Sequence, residues 1–207
     1  MNIAVVAANG RTGRAFVRTA LKAGHSIRAG VHTTHTLKPH PNLTIVHCDA
    51  TNEADITELL RGCQAVASFI GHEVKSPAHV QRDSMQTVTT VMQALNIRRI
   101  VSLTGTGVRL PGDKIPLIDR IVNFFVEKID PARVQDGRDH LEVLTQSSLD
   151  WTVLRVLRLT TGPLQPYMLR EHGPTKWSTS RREVAAAALH IVQSDAFLQQ
   201  APIISRA

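Results

Sequence analysis

Three observations in the 207-residue sequence predict a doubly wound α/β domain, a parallel sheet with helices on both faces. Short apolar, β-branched runs alternate with longer helical stretches, the order that builds strand–helix–strand crossovers. Several of the runs are apolar almost throughout, as strands buried on both faces must be. A glycine turn separates the first run from the first helical stretch. With no repeat, linker or low-complexity segment, the expectation is one domain spanning 1–207.

The elements follow in order. Ile3 to Ala7 reads as a buried strand, Asn9 to Gly13 as a turn, and Arg14 to Ala23 as a helix closed by Gly24. Strands are expected at Ile27 to His32 and Leu43 to His47, a short helix at Ile56 to Arg61, and a fourth strand at Ala65 to Ile70. Ser76-Pro77 has the chemistry of a helix start, serine as N-cap and proline at the first helical position, for a helix reaching Leu95 or Asn96. Arg99 to Leu103 is the fifth strand. A loop with Gly105, Gly107, Pro111, Gly112 and Pro116 leads to Leu117–Ile129, apolar at 118, 121, 122, 125 and 129. That spacing predicts a helix with a wide apolar face, suited to core packing, a pocket cover or a dimer face. After Pro131 a further helix runs to Gln146, then a strand from Trp151 to Val156. Ser180 and Glu183 form a capping box ahead of Val184 to Val192, and Pro202 to Ser205 is the last strand.

Composition narrows the function. No apolar run approaches the roughly 20 residues of a membrane span. Residues 1–8 lack the basic start of a secretory leader, so a cytoplasmic setting is expected. Two cysteines, Cys48 and Cys63, suit neither a disulfide framework nor a zinc site. His32, His35, His40 and His47 come without a cysteine or carboxylate cluster, so no metal site is expected. The net charge of +7 fits an anionic small ligand better than nucleic acid, for which eight aromatic residues (five Phe, two Trp, one Tyr) supply no interleaved stacking pattern.

The turn Ala7-Ala8-Asn9-Gly10-Arg11-Thr12-Gly13 carries chemistry. A pyrophosphate rests on a helix N-terminus only where small residues let the backbone approach it. Gly10 and Gly13 meet that need and Thr12 adds a hydroxyl, while Ala7 stands where a Gly-x-x-Gly-x-x-Gly pattern has its first glycine. The turn resembles that of the atypical short-chain dehydrogenase/reductase superfamily, in its NmrA-like and flavin-reductase-like NAD(P)H-binding group. Cys48-Asp49-Ala50-Thr51 looks like the Gly-Asp segment that this group places near adenine. Arg99 to Gly105 looks like its fifth strand with an active-site Ser/Thr. Ser148 to Arg155 is similar to its Ser-Gly-Leu-Asp-Trp-Thr-Ile-Leu-Arg strand, and Ser180-Arg181-Arg182-Glu183-Val184-Ala185 to its late helix start. The resemblance implies a Rossmann fold and a dinucleotide held by Ala7, Asn9, Gly10, Arg11, Thr12, Gly13, His32, Thr33, Asp49, Ala50, Ile70, Gly71 and Ser102.

NAD-selective sites end the second strand on an acid that bonds the ribose 2′-OH. Here that strand ends Gly30-Val31-His32-Thr33-Thr34, and Arg11 lies in the glycine turn, so NADP(H) is expected over NAD(H).

Substrates of such sheets bind at the carboxyl ends of the strands, which points to Gly71 and His72, Ser102 to Thr106, and Arg155 to Leu159. The superfamily's best-known branch uses Tyr-x-x-x-Lys for proton transfer. The lone tyrosine, Tyr167, is followed four residues later by Glu171, and Val134 and Arg138 occupy the corresponding helix positions. Helical spacing instead sets Arg133, Asp136 and His140 along one face, with His140 able to exchange a proton near neutral pH. Thr104 is the favoured hydroxyl, Ser102 the second. The expected function is an NAD(P)H-dependent oxidoreductase, monomeric or homodimeric, reducing a flavin, a quinone or a similar small molecule without that relay. The alternative is a non-catalytic, NmrA-like redox sensor that only binds the dinucleotide.

Overall fold

The computed structural model describes residues 1–72, 76–110, 113–114 and 116–206. Pro111 and Gly112, and the side chains of Ile118 and Val122, lie outside the described residues. The first half runs β1 (Asn2–Val6), α1 (Arg11–Lys22), β2 (Ser26–Val31), β3 (Leu43–His47), α2 (Glu53–Leu60), β4 (Ala65–Ser68), α3 (Val80–Ala94) and β5 (Arg99–Gly105). The second half runs α4 (Leu117–Ile129), α5 (Pro131–Thr145), β6 (Asp150–Val156), β7 (Leu159–Thr160), β8 (Tyr167–Arg170), β9 (Thr179–Ser180), α6 (Arg181–Val192) and β10 (Ile203–Arg206).

The main sheet has the order β3-β2-β1-β4-β5-β6-β10-β8. All its pairings are parallel except β10 with β8, an antiparallel edge strand that the alternating signal at Tyr167–Arg170 was too short to announce. From β1 the chain winds outward through β2 and β3, then returns to place β4, β5 and β6 on the other side. The order reverses between β1 and β4, the switch point at which sheets of this kind take ligands in a crevice at the carboxyl ends of the strands.

Strand alternation divides the core in two. Ile3, Val5, Ala65, Ala67, Val101 and Leu154 pack on one face with Phe16 and Val17 of α1 and Val184, Ala188 and Ile191 of α6. Ala4, Val6, Val66, Ile100 and Val153 pack on the other with α2, α3 and α5 through Ile56, Leu59, Met85, Val88, Leu141 and Leu144. This period of two also assigns the polar residues of β5. Ser102 and Thr104 follow Ile100 in phase, so they face α5.

Helix starts show local and remote capping. At α6 the Ser180 hydroxyl accepts the Glu183 N–H at 3.2 Å while Glu183 Oε2 accepts the Ser180 N–H at 3.1 Å, the expected capping box. At α3 the expected start at Ser76-Pro77 does not occur. The helix begins at Val80, and its N-cap, His79, offers no side-chain bond. Its N–H groups at Gln81 and Arg82 are met from α5. The apolar side chains Leu117, Ile121, Phe124, Phe125 and Ile129 of α4 are exposed, so they are not core. That helix is tied down by polar contacts: Asp119 accepts the Thr175 N–H at 2.8 Å, and Arg138 of α5 donates to Glu127.

Candidate functional site

The crevice begins at the glycine turn. Ala7 adopts φ 56°, the left-handed region that a glycine would occupy without a Cβ penalty, and the Gly10 N–H closes the turn on Ala7 O at 3.1 Å. A Cβ at Gly13 would lie 2.8 Å from Ala8 Cα and closer still to the Ala7 carbonyl oxygen, so only glycine lets α1 sit on this turn. The first turn of α1 contains no acid, and its N-cap, Gly10, supplies no side-chain acceptor. Its N–H groups and the positive end of the helix dipole therefore suit an anion. The Arg181 guanidinium has its pKa lowered, by burial first and then by the like charge of Arg11. The first residues of α1 and α6 thus gather positive charge beside the turn. Arg11 is exposed and Thr12 is buried.

Asn9 has a structural role here. Its amide donates to Thr34 O at 3.1 Å and its carbonyl accepts the Thr36 N–H at 3.0 Å, pinning the segment after β2 to the turn. His32 and Thr33 are exposed at the end of β2. His32 Nε2 is 3.8 Å from Asp49 Oδ2. Asp49 also accepts the Thr51 N–H at 2.9 Å and the Thr51 hydroxyl at 2.8 Å, and these bonds hold its carboxyl below the usual range. Ala50 is half-buried beside it. Among the described residues, no three His, Cys, Asp or Glu side chains are grouped as metal ligands.

Beyond the ends of β4 and β5, α5 delivers two of the expected residues and turns one away. His140 is 2% exposed, and its Nε2 lies 3.0 Å from Ser102 Oγ. Among the described residues its Nδ1 is buried without a hydrogen bond. Desolvation pushes the imidazole pKa down to about 4, against the opposing pull of Asp136, so His140 is neutral at pH 7 and sealed from solvent. The expectation that it exchanges protons near neutrality is corrected by this burial. A Cβ at Gly137 would lie 2.8 Å from Thr104 Oγ1, so this glycine lets α5 close on β5. Ile70 joins Ser68, Ser102 and His140 around a small gap under the helices, and Gly71 is exposed. Arg133 does not share the buried face of Asp136 and His140: it is exposed in the first turn of α5 and paired with Asp130 at 3.2 Å.

Asp136 is fully buried and serves three partners. Its Oδ2 accepts the Gln81 N–H at 2.9 Å and its Oδ1 the Arg82 N–H at 3.0 Å, capping α3 from another helix. The same Oδ2 lies 2.7 Å from Nε2 of His72, four residues past β4. The sequence points to His72 only as a residue following a strand. Its pairing with Asp136 spans 64 residues and carries no local signal.

Arg155 was a further residue at a strand end, and the structure gives it a definite place. Its guanidinium is 1% exposed, ion-paired to Asp113, and donates to Ala201 O, to Val108 O at 3.2 Å and to Glu171 O at 3.1 Å. It fastens the loop after β5 to the sheet. Tyr167 lies on β8, not on α5, and burial followed by the nearby Glu183 charge raises its pKa.

A protein-family model described as NAD(P)H-binding matches residues 7–195. The chain belongs to the NAD(P)H-binding family. The matched span covers this family's glycine turn, the strand ends and the α5 cluster. The fold of this NAD(P)H-binding chain is that of short-chain dehydrogenase/reductase structures. One, from Veillonella parvula and solved in complex with NADP, aligns with TM-score 0.83 at 19% identity over 99% of this chain and 94% of that one. An anaerobilin reductase from Escherichia coli O157:H7 aligns with TM-score 0.79 at 15% identity over 100% and 97%. A protein named as a candidate NADH-flavin reductase, from Streptococcus pneumoniae, aligns with TM-score 0.79 at 20% identity over 99% and 98%.

Proposed function

We propose that this NAD(P)H-binding protein is an NADPH-dependent reductase of a small, conjugated acceptor of the flavin or quinone class. The observation that carries the reading is a juxtaposition. A glycine turn with an uncapped, acid-free helix start lies at the β1–β4 crevice, and a polar group of His72, Asp136, Ser102 and Thr104 stands at the ends of the next two strands.

The turn Ala7, Gly10, Arg11, Thr12 and Gly13 holds the pyrophosphate, with Arg181 adding charge. Asp49 and Ala50 flank the adenine, and Ile70 and Gly71 flank the nicotinamide end, above the buried Ser102. When bound, the dinucleotide supplies a hydride. His32, Thr33 and Arg11 receive the 2′-phosphate, since no acid ends β2 to repel it. The NADP-bound structural neighbour supports a nicotinamide dinucleotide as the ligand. Thr104, facing α5 across Gly137, orients the acceptor with its hydroxyl. Positioning and exclusion of water do most of the work, because a stacked acceptor of this class needs no Tyr/Lys relay. The protein acts in the cytoplasm, as a monomer or homodimer.

The test is calorimetry with NADPH and NADH, followed by NADPH oxidation with FMN, riboflavin and menadione. Tighter NADPH binding and turnover with at least one acceptor are expected. Tighter NADH binding overturns the cofactor preference. Tight binding with no turnover replaces the enzyme with the redox-sensing protein.

A further inference from the structure

We infer that His72, aligned by Asp136, is the proton donor of this site. The inference rests on the reductase reading above and adds the residue that completes the reaction.

Reduction of a conjugated acceptor by hydride leaves negative charge on an oxygen or nitrogen of that acceptor, which must gain a proton. Two imidazoles stand near the ends of β4 and β5, and the structure separates them. His140 is sealed in the core with Ser102 as its bonded partner, so it has no route for exchanging protons with solvent. His72 lies four residues beyond β4, beside the β1–β4 crevice, and its side chain keeps 10% exposure.

The geometry also assigns the proton positions. Two of the three groups around the Asp136 carboxylate are the backbone N–H groups of Gln81 and Arg82, which can only donate. The carboxylate is therefore the acceptor throughout, and the hydrogen between it and His72 sits on Nε2. That leaves Nδ1 as the exchanging nitrogen, and among the described residues nothing hydrogen-bonds to it. Asp136 is a positioning residue: bonded to the α3 backbone on both oxygens, it cannot swing away without uncapping that helix.

The dihydronicotinamide of NADPH loses a hydride and is oxidised by two electrons, and the acceptor is reduced by two electrons. The Nδ1–H bond of the His72 imidazolium breaks, and an O–H or N–H bond forms on the acceptor. The neutral imidazole keeps Nε2–H on Asp136 and regains its proton from solvent.

The experiment compares the wild type with His72→Gln, whose amide still donates to Asp136 but carries no exchangeable acid. Calorimetry with NADPH, NADPH oxidation with FMN, riboflavin and menadione in H2O and D2O, and 15N NMR of the histidines in the protein alone are measured. The expected results are NADPH affinity within about twofold of wild type, kcat lowered at least tenfold, and loss of the wild-type solvent isotope effect. The NMR resonance that disappears in His72→Gln should report the Nε2–H tautomer when neutral. Unchanged kcat and isotope effect in the variant overturn the proposal and leave the reductase reading standing. An Nδ1–H tautomer at that resonance in the wild type also overturns it, and His72→Asn supplies the assignment if His72→Gln fails to fold. A wild type that binds NADPH and oxidises it with none of the acceptors overturns the reductase reading, and this inference with it.

Discussion

Gly137 stands so close to Thr104 that a Cβ on the glycine would come within 2.8 Å of the Thr104 hydroxyl oxygen. Val108 Cγ2 would be 2.9 Å from that Cβ. Gly137→Ala is therefore expected to destabilise the protein by about 1–3 kcal/mol through overpacking, even though alanine favours helices by ~1 kcal/mol over glycine. Urea unfolding measures the loss. Adding Thr104→Ala should recover only part of it, because the Val108 contact remains.

Asp136→Ala removes the acceptor for the first N–H groups of α3. A loss on the order of 2–3 kcal/mol is expected from an unmet buried cap and a stranded His72. Amide exchange should quicken most at Gln81 and Arg82. Equal acceleration along all of α3 would contradict the capping role.

His140 makes stability depend on pH with a definite sign. Its folded-state pKa is lowered to about 4 from 6.5, so the unfolded chain binds more protons between those values. Its contribution is complete above pH 6.5 and is lost as pH falls toward 4, amounting to roughly 3 kcal/mol. Asp113, held low by Arg155 against desolvation, adds a loss at more acidic pH, below the ordinary carboxylate value of 3.8. Chemical denaturation of His140→Gln from pH 7 to 4 should show a flatter slope than wild type. His25, whose pKa is also lowered by burial, leaves a residual slope of the same sign.

Arg155→Met strands Asp113, which is 6% exposed, and should cost about 3–5 kcal/mol. The double variant Arg155→Met with Asp113→Leu should cost less than the single one, since no buried charge is left alone. Thermal melts of the four proteins in that cycle decide the point.

Cofactor choice should respond to the end of β2. His32→Asp places an acid where the 2′-phosphate is proposed to lie, and NADPH affinity should fall at least tenfold while NADH affinity holds or rises. Calorimetry of both cofactors reads this directly.

The parts legible in the sequence are those set by short-range physics. Alternation along β5 already placed Ser102 and Thr104 on the side of Ile100, and Ser180 with Glu183 announced the α6 start. The glycine turn was readable because its steric demand falls on residues three apart. What was not legible depends on partners far along the chain. Ser76-Pro77 satisfies every local rule for a helix start, yet α3 starts where the Asp136 carboxylate meets it. Arg133 fits the i, i+3 spacing, but it lies in the first turn of α5, where Asp130 and solvent claim it. The Arg155–Asp113 pair and the edge strand at Tyr167–Arg170 are likewise products of tertiary packing.

The remote cap on α3 bears on how the chain is made. Asp136 follows Gln81 by 55 residues, so during synthesis the first turn of α3 waits for its acceptor. At roughly 5–20 residues per second, that interval lasts about 3–11 s. Through that time β1 to β4 can already be paired while the start of α3 is unfinished. The emergence of α5 then completes α3 and sets His72 in the same event, so a ribosome-bound chain cut short before residue 136 should hold a formed glycine turn and an unassembled reacting end.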